Sequence, residues 1–239
     1  FAIESSKQHM AIAEFIIDTQ RFSIETLKQL TQTPHTLKLD NAVVDIVSKN
    51  RAFLERKLAE PNARYYGINT GFGALCDVKI SNENIEQLQE NLVMSHACGM
   101  GDEVKPEVAK LMLLLKIKGL SLGSSGVCVE TIQKLVEFYN ADVIPLIWEV
   151  GSLGASGDLA PLAHMSLPLL GMGEVRYKGE RMKTADALKQ ANIQSIKLHS
   201  KEGLALLNGT QFMSAWGSFS VMESERVEKL ADLTAAISV

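Results

Sequence analysis

Between Pro106 and Gly119 apolar residues occupy every side of a helical repeat, so this segment needs other elements packed all around it. A chain built on such a helix has to form a layered, mainly helical body. Val43, Ile46, Val47, Leu54 and Leu58 mark a further amphipathic helix that ends before Pro61. Ile85, Leu88 and Leu92 mark another, with Ser81 as its expected N-cap and Gly99 as its terminator, which places Ser95 and His96 in the last turn. Val129, Ile132, Leu135, Val136 and Tyr139 form one more stripe, followed by a short β-branched run at Val143-Ile144 that stops at Pro145. Strands are expected to be few and short. Glu174-Val175-Arg176-Tyr177 and Glu180-Arg181-Met182-Lys183 flank Lys178-Gly179 as a hairpin, with Thr184 as cap of the next helix. A helical pattern from about Thr210 onward reads as the first member of a larger bundle, its face of Phe212, Ala215, Phe219 and Met222 left uncovered.

Composition narrows the function classes. At 239 residues and 46% apolar, the chain can bury the core of one large domain, or of one domain and a piece of a second. A net charge of −4 argues against a nucleic-acid partner. Leu111 to Leu115 is broken by Lys116 and Lys118, well short of the roughly 20 residues that span a membrane. Cys76, Cys98 and Cys128 are odd in number without C-x-x-C spacing, and no signal pattern opens the chain, so a cytoplasmic setting is expected. His9, His35, His164 and His199 show no metal-ligand spacing, and neither a metal nor a nucleotide is expected. The chain opens on Phe1 and stops at Ser238-Val239 inside a helical pattern, so a piece of a longer protein is expected, inactive by itself.

The most unusual segment is Gly151-Ser152-Leu153-Gly154-Ala155-Ser156-Gly157-Asp158, a small-residue loop running into Leu159-Ala160-Pro161-Leu162-Ala163. Asp158 is placed to cap the following helix, and Pro161 tolerates the first turn because its missing N–H has no partner there. A phosphate cradle is one reading of the loop, but neither G-x-G-x-x-G nor G-x-x-x-x-G-K-[ST] is present. A serine nucleophile elbow is a second, but Asp158 stands where G-x-S-x-G needs glycine. A tight turn that merely requires small residues is the third, and on residue types alone it carries the largest prior.

The wider context changes that order. The stretch Gly151 to Gly171, GSLGASGDLAPLAHMSLPLLG, resembles the signature of the aromatic amino-acid ammonia-lyase family. Tyr66-Gly67-Ile68-Asn69-Thr70-Gly71-Phe72-Gly73 is similar to the family's catalytic tyrosine loop, and Glu202 to Gln211, EGLALLNGTQ, to its substrate-contacting asparagine segment. Three motifs in the family's order are specific, and the likeness runs from about Phe22 to the end.

The resemblance implies an all-α, aspartase/fumarase-like fold with a few short strands. It divides the chain into an N-terminal part over 1–205 and the truncated start of the central helix bundle over 206–239. It implies that Ala155, Ser156 and Gly157 cyclise to a 4-methylidene-imidazol-5-one (MIO), a self-formed electrophile, with Asp158 assisting the dehydration. Small residues suit this closure, because the Gly157 nitrogen has to reach the Ala155 carbonyl carbon. By the same resemblance Tyr66 is the base, although an isolated tyrosine is more often structural, and its hydroxyl has to be activated by its surroundings. Asn208 contacts the carboxylate and amino end of a small amino-acid substrate, against the plainer reading of a turn residue before Gly209. Ser95-His96 resembles the histidine branch, a reading that also has to compete with simple helix capping.

The implied reaction is non-oxidative deamination of L-histidine to trans-urocanate and ammonia. The alternatives are a tyrosine or phenylalanine lyase, an aminomutase using the same group, and a truncated, non-catalytic helical module. The family also implies a homotetramer whose sites draw on three subunits, with the Tyr66 loop and the MIO of one site on different chains. The rest of the pocket, a tyrosine, an arginine and a glutamate, is implied to lie outside this chain.

Overall fold

The computed structural model describes residues 12–60, 63–71, 78, 80–81, 84–151 and 154–238. The expected helix stop at Pro61 and the motif residues Phe72, Gly73, Ser152 and Leu153 lie outside them. The fold is mainly helical with short strands, as the periodicities require.

Helix α4 (Pro106–Leu120) is the axis of the body. It packs against α5 (Val129–Asn140), the strand β4 (Ile144–Pro145) and the start of the long helix α9 (Gln211–Ser238). Val108, Met112, Leu113 and Ile117 are fully enclosed. The two lysines that interrupt its apolar run are enclosed as well. Lys118 reaches the carbonyl and carboxylate of Asp18 and lies over the Phe22 ring, so its charge is met inside the fold.

Around this axis run α1 (Ile24–Gln32), capped by Ser23, and α2 (Asn41–Leu58), capped by the Asp40 carboxylate on Ala42 N–H at 2.7 Å. Strands β1 (Ala13–Ile17) and β2 (His35–Leu39) flank α1 as a parallel pair that the sequence reading did not anticipate. The expected hairpin is present as β6 (Glu174–Tyr177) and β7 (Glu180–Lys183), with Lys178 and Gly179 both at positive φ, and β6 also pairs with β4. Strand β3 (Met100–Glu103) pairs with β5 (Trp148–Val150).

Two expected caps are displaced. Helix α3 (Ile85–His96) has Asn84 at its N-cap, because Ser81 instead accepts the Asn84 N–H in a turn that precedes the helix. Helix α7 (Thr184–Ala191) has Lys183 there, because the hairpin holds Lys183 extended and makes Thr184 the first helical residue. The terminator is displaced too: α3 ends at His96 with Ala97 as its C-cap, and Gly99 lies beyond.

Helix α8 (Glu202–Leu207) contains the 205/206 division expected from the resemblance. Its first residue, Glu202, is completely buried and accepts from Cys128 N–H, His199 N–H and the Thr131 hydroxyl, which ties α8 to the first turn of α5. The α9 face of Phe212, Ala215, Phe219 and Met222, expected to be bare, is packed on the core. The reason is that α9 begins against α4. Farther along, Val227, Leu230, Leu233 and Ile237 are exposed.

Candidate active site

The small-residue loop is a turn pinned from the side. Gly157 N–H donates to Gly154 O at 3.0 Å, leaving Ala155 and Ser156 exposed at its tip. Gly209, distant in sequence, grips both flanks: its N–H donates to Ser156 O at 3.3 Å, and its carbonyl accepts Asp158 N–H at 2.9 Å. Gly157 sits at φ +93°, and a Cβ there would run into the Gly209 carbonyl, so glycine is required twice over. Around Gly154 there is open space.

Asp158 stands at the start of helix α6 (Leu159–Ser166) but does not cap it with its side chain. Only 3% exposed, it turns its carboxylate to Met213 N–H at 3.0 Å, in the first turn of α9. The expected cap of α6 is thus a cap of α9, because the tertiary fold brings that second helix N-terminus alongside.

Tyr66 lies on a loop that Asn69 and Thr70 help to hold. The Asn69 side chain accepts from Tyr65 N–H at 2.7 Å and donates to Ala63 O at 2.9 Å, while Thr70 accepts from Gly67 N–H at 3.3 Å. Asn69 and Thr70 are buried, whereas Tyr66 is 59% exposed. Gln89, buried on α3, bridges this loop to α8, donating to Gly67 O and accepting from Leu204 N–H, each at 3.4 Å.

His96 and Ser95 fall in the last turn of α3, as expected. The His96 Nδ1 lies 2.8 Å from Leu92 O. A carbonyl only accepts, so Nδ1 carries the proton, and in the neutral tautomer that leaves Nε2 as an acceptor. The Ser95 hydroxyl donates to Leu92 O at 3.1 Å or meets His96 Nδ1, and Ser95 is not part of the cavity wall described next.

Asn208 ends α8 in extended conformation, and its side-chain amide donates to Leu204 O at 2.7 Å. It is a helix cap, and it also faces a cavity of about 180 Å³ that Tyr66, His96 and Ser156 line with it. Leu92, Leu159, Leu204 and Leu207 supply the apolar walls. Tyr66 and Ser156 of a single chain therefore share one cavity. Gln89 ties the Tyr66 loop to α8 beside this cavity.

These residues fit an MIO. The turn has no side chain bulkier than serine between Gly154 and Gly157, Ser156 borders the cavity, and the Gly209 cradle accepts nothing larger than glycine at 157. Among the described residues no group of three or more His, Cys, Asp or Glu could hold a metal ion, and no helix is long and apolar enough to cross a membrane.

Three residues around the site make contacts that the sequence reading did not assign. Gln89 lies in the buried stripe of α3, and a polar residue at such a position is itself a signal. The His164 Nε2 accepts Gly99 N–H at 2.9 Å, joining α6 to the segment after α3, and burial holds its pKa below the ordinary value. Lys116 donates to Ala205 O at 2.7 Å and Asn208 O at 3.0 Å.

The family model "Aromatic amino acid lyase" matches residues 22–239. A histidine ammonia-lyase of Caldanaerobacter subterraneus subsp. tengcongensis is 44% identical over 224 residues, covering 94% of this chain and 44% of that protein. The chain thus spans less than half the length of such relatives. Among solved structures, a histidine ammonia-lyase from Trypanosoma cruzi matches with a TM-score of 0.82 at 34% identity, over 92% of this chain and 42% of that one. A Pantoea agglomerans phenylalanine aminomutase matches with a TM-score of 0.84 at 32% identity, over the same shares. With its three motifs folded around one cavity and nearly its whole length matched, the chain belongs to the aromatic amino acid lyase family.

Proposed function

We propose that the protein carrying this chain removes ammonia from L-histidine without oxidation, giving trans-urocanate. The observation that carries the reading is the convergence of Tyr66, His96, Ser156 and Asn208 on one cavity. Once formed from Ala155, Ser156 and Gly157, the MIO supplies an electrophilic methylene carbon that draws electrons from the substrate.

The chain's own residues do the rest. The Tyr66 hydroxyl, at the cavity edge, takes the β-proton as general base. His96 presents Nε2 to the substrate imidazole N–H, a match that a carbocyclic ring lacks. Asn208 keeps its side-chain carbonyl oxygen for the amino end, since its amide donates to Leu204 O. Leucines 92, 159, 204 and 207 exclude water from the substrate's ring. Asp158, whose carboxylate accepts Met213 N–H on α9, holds the loop's far end and assists the dehydration. We further propose a cytoplasmic homotetramer in which groups outside this chain complete the pocket.

The likeness to a phenylalanine aminomutase favours one second reading, in which the amine returns to the β-carbon. The test is turnover of L-histidine, L-tyrosine and L-phenylalanine by the full-length protein, with product analysis. Urocanate and ammonia from histidine are expected. A β-amino acid as the main product, a preference for tyrosine or phenylalanine, or no turnover at all would each replace the reading.

A further inference from the structure

Lys116 is among the largest fully enclosed side chains of the described residues, 2% exposed in the middle of α4. Its Nζ donates to the carbonyl oxygens of Ala205 and Asn208, at the end of α8. Helix ends carry carbonyls without partners, and the dipole there favours a cation. Burial nonetheless pushes the ammonium pKa down to about 7. A methionine or leucine would fill the same space without that desolvation cost. Packing alone therefore does not account for a lysine here.

What the lysine holds lies one residue from the glycine that grips the small-residue loop. Asn208 is followed by Gly209, whose N–H and carbonyl grip Ser156 and Asp158 on the two sides of Gly157. The segment that receives the ammonium is the same segment that clamps the turn. Because α4 buries ten of its 15 residues, it gives this clamp a rigid anchor.

We propose that Lys116 is a positioning residue for closure of the Ala155-Ser156-Gly157 ring, acting through Asn208 and Gly209. The inference rests on the reading given under Proposed function. In the closure, Gly157 N bonds to the Ala155 carbonyl carbon, and that oxygen departs as water with the protons of the Gly157 and Ser156 amides, leaving a C=N bond to Ser156 N. Ser156 then loses its Cα proton and its hydroxyl as a second water, forming the exocyclic C=C bond. No oxidant enters. The step needs the turn held bent while Gly157 N exchanges its hydrogen bond to Gly154 O for the new bond, and the clamp provides that restraint.

The test uses the full-length protein as wild type, as Lys116→Met, and as Leu113→Ala, a control cavity at an equally buried position of α4. Peptide mass spectrometry of the folded protein reads the fraction of loop lighter by two waters, and thermal unfolding reads stability. Lys116→Met should lower the cyclised fraction about tenfold, the factor expected when a hydrogen bond to a charged group is lost. Leu113→Ala should lower stability while cyclisation stays complete. If Lys116→Met gives no folded protein, Lys116→Gln, which keeps a donor but no charge, is measured by the same criterion. A Lys116 variant as fully cyclised as wild type, or a Leu113→Ala protein equally short of cyclisation at equal loss of stability, would overturn the inference alone. An intact tripeptide in the wild type would overturn the reading beneath it as well.

Discussion

Gly157 and Gly209 pair as a parallel bridge, so close that a Cβ on Gly157 would strike the Gly209 carbonyl. The reactive loop is therefore seated on a segment about fifty residues downstream and is not free-standing. In Gly157→Ala the methyl group would have to displace that backbone, at a positive φ that alanine disfavours. A loss of about 1–3 kcal/mol in stability is expected, together with failure of the loop to lose two waters. Thermal unfolding and peptide mass spectrometry check this, and a normal melting point with a fully dehydrated loop would contradict it.

Tyr66→Phe should leave the fold and the cyclised loop intact, because Asn69 and Thr70 hold the loop through its backbone. Turnover should fall by about 10²–10⁴-fold, the usual loss when a general base goes. Steady-state kinetics with the circular dichroism spectrum as a control make the measurement. Near-normal turnover would move the base elsewhere.

His96→Leu removes the Nε2 acceptor while keeping an apolar body. The ratio of kcat/KM for L-histidine to that for L-phenylalanine should fall about tenfold or more, because the imidazole N–H is left unpaired. Competition between the two substrates reads the ratio directly. A ratio equal to that of the wild type would show that ring recognition lies with other groups.

His164 makes stability depend on acidity. Burial lowers its pKa from the ordinary value near 6.5, so the unfolded chain takes up the proton first as pH falls. The contribution is full above about pH 6.5 and is lost as pH drops toward the lowered folded value, where Gly99 N–H loses its acceptor. The melting temperature of wild type minus that of His164→Leu should thus shrink between about pH 7 and pH 5. Titration of the other histidines cancels in the difference. A difference that does not change with pH would remove His164 from the account.

The helices were legible in the chain because their repeat is local. The stripe from Val129 to Tyr139 and the all-round apolar run of α4 each need only neighbouring residues to declare themselves. The site was legible by a different route. Tyr66, Ala155, Ser156, Gly157 and Asn208 were marked by their motifs, and the structure places all but Ala155 and Gly157 on the cavity wall, with those two flanking Ser156.

Which partner each polar group takes was not legible. Asp158 had the residue type and position of a cap for α6, yet it caps α9, since a carboxylate goes to whichever unpaired N–H the packing brings nearest. Lys116 looked like a break in an apolar run and is an anchor for α8 instead. Sequence by itself determined the main helices, the hairpin and the small-residue loop, which depend on contacts within a few residues, while the candidate site residues were marked by their likeness to family motifs. Only the tertiary structure decided that Tyr66 and Ser156 share a cavity, that Gly209 grips Gly157, and that a lysine from the core stands behind Asn208. Those relationships join residues 52 to 92 positions apart, and hydrogen bonds at such separation are chosen by the packing of whole helices.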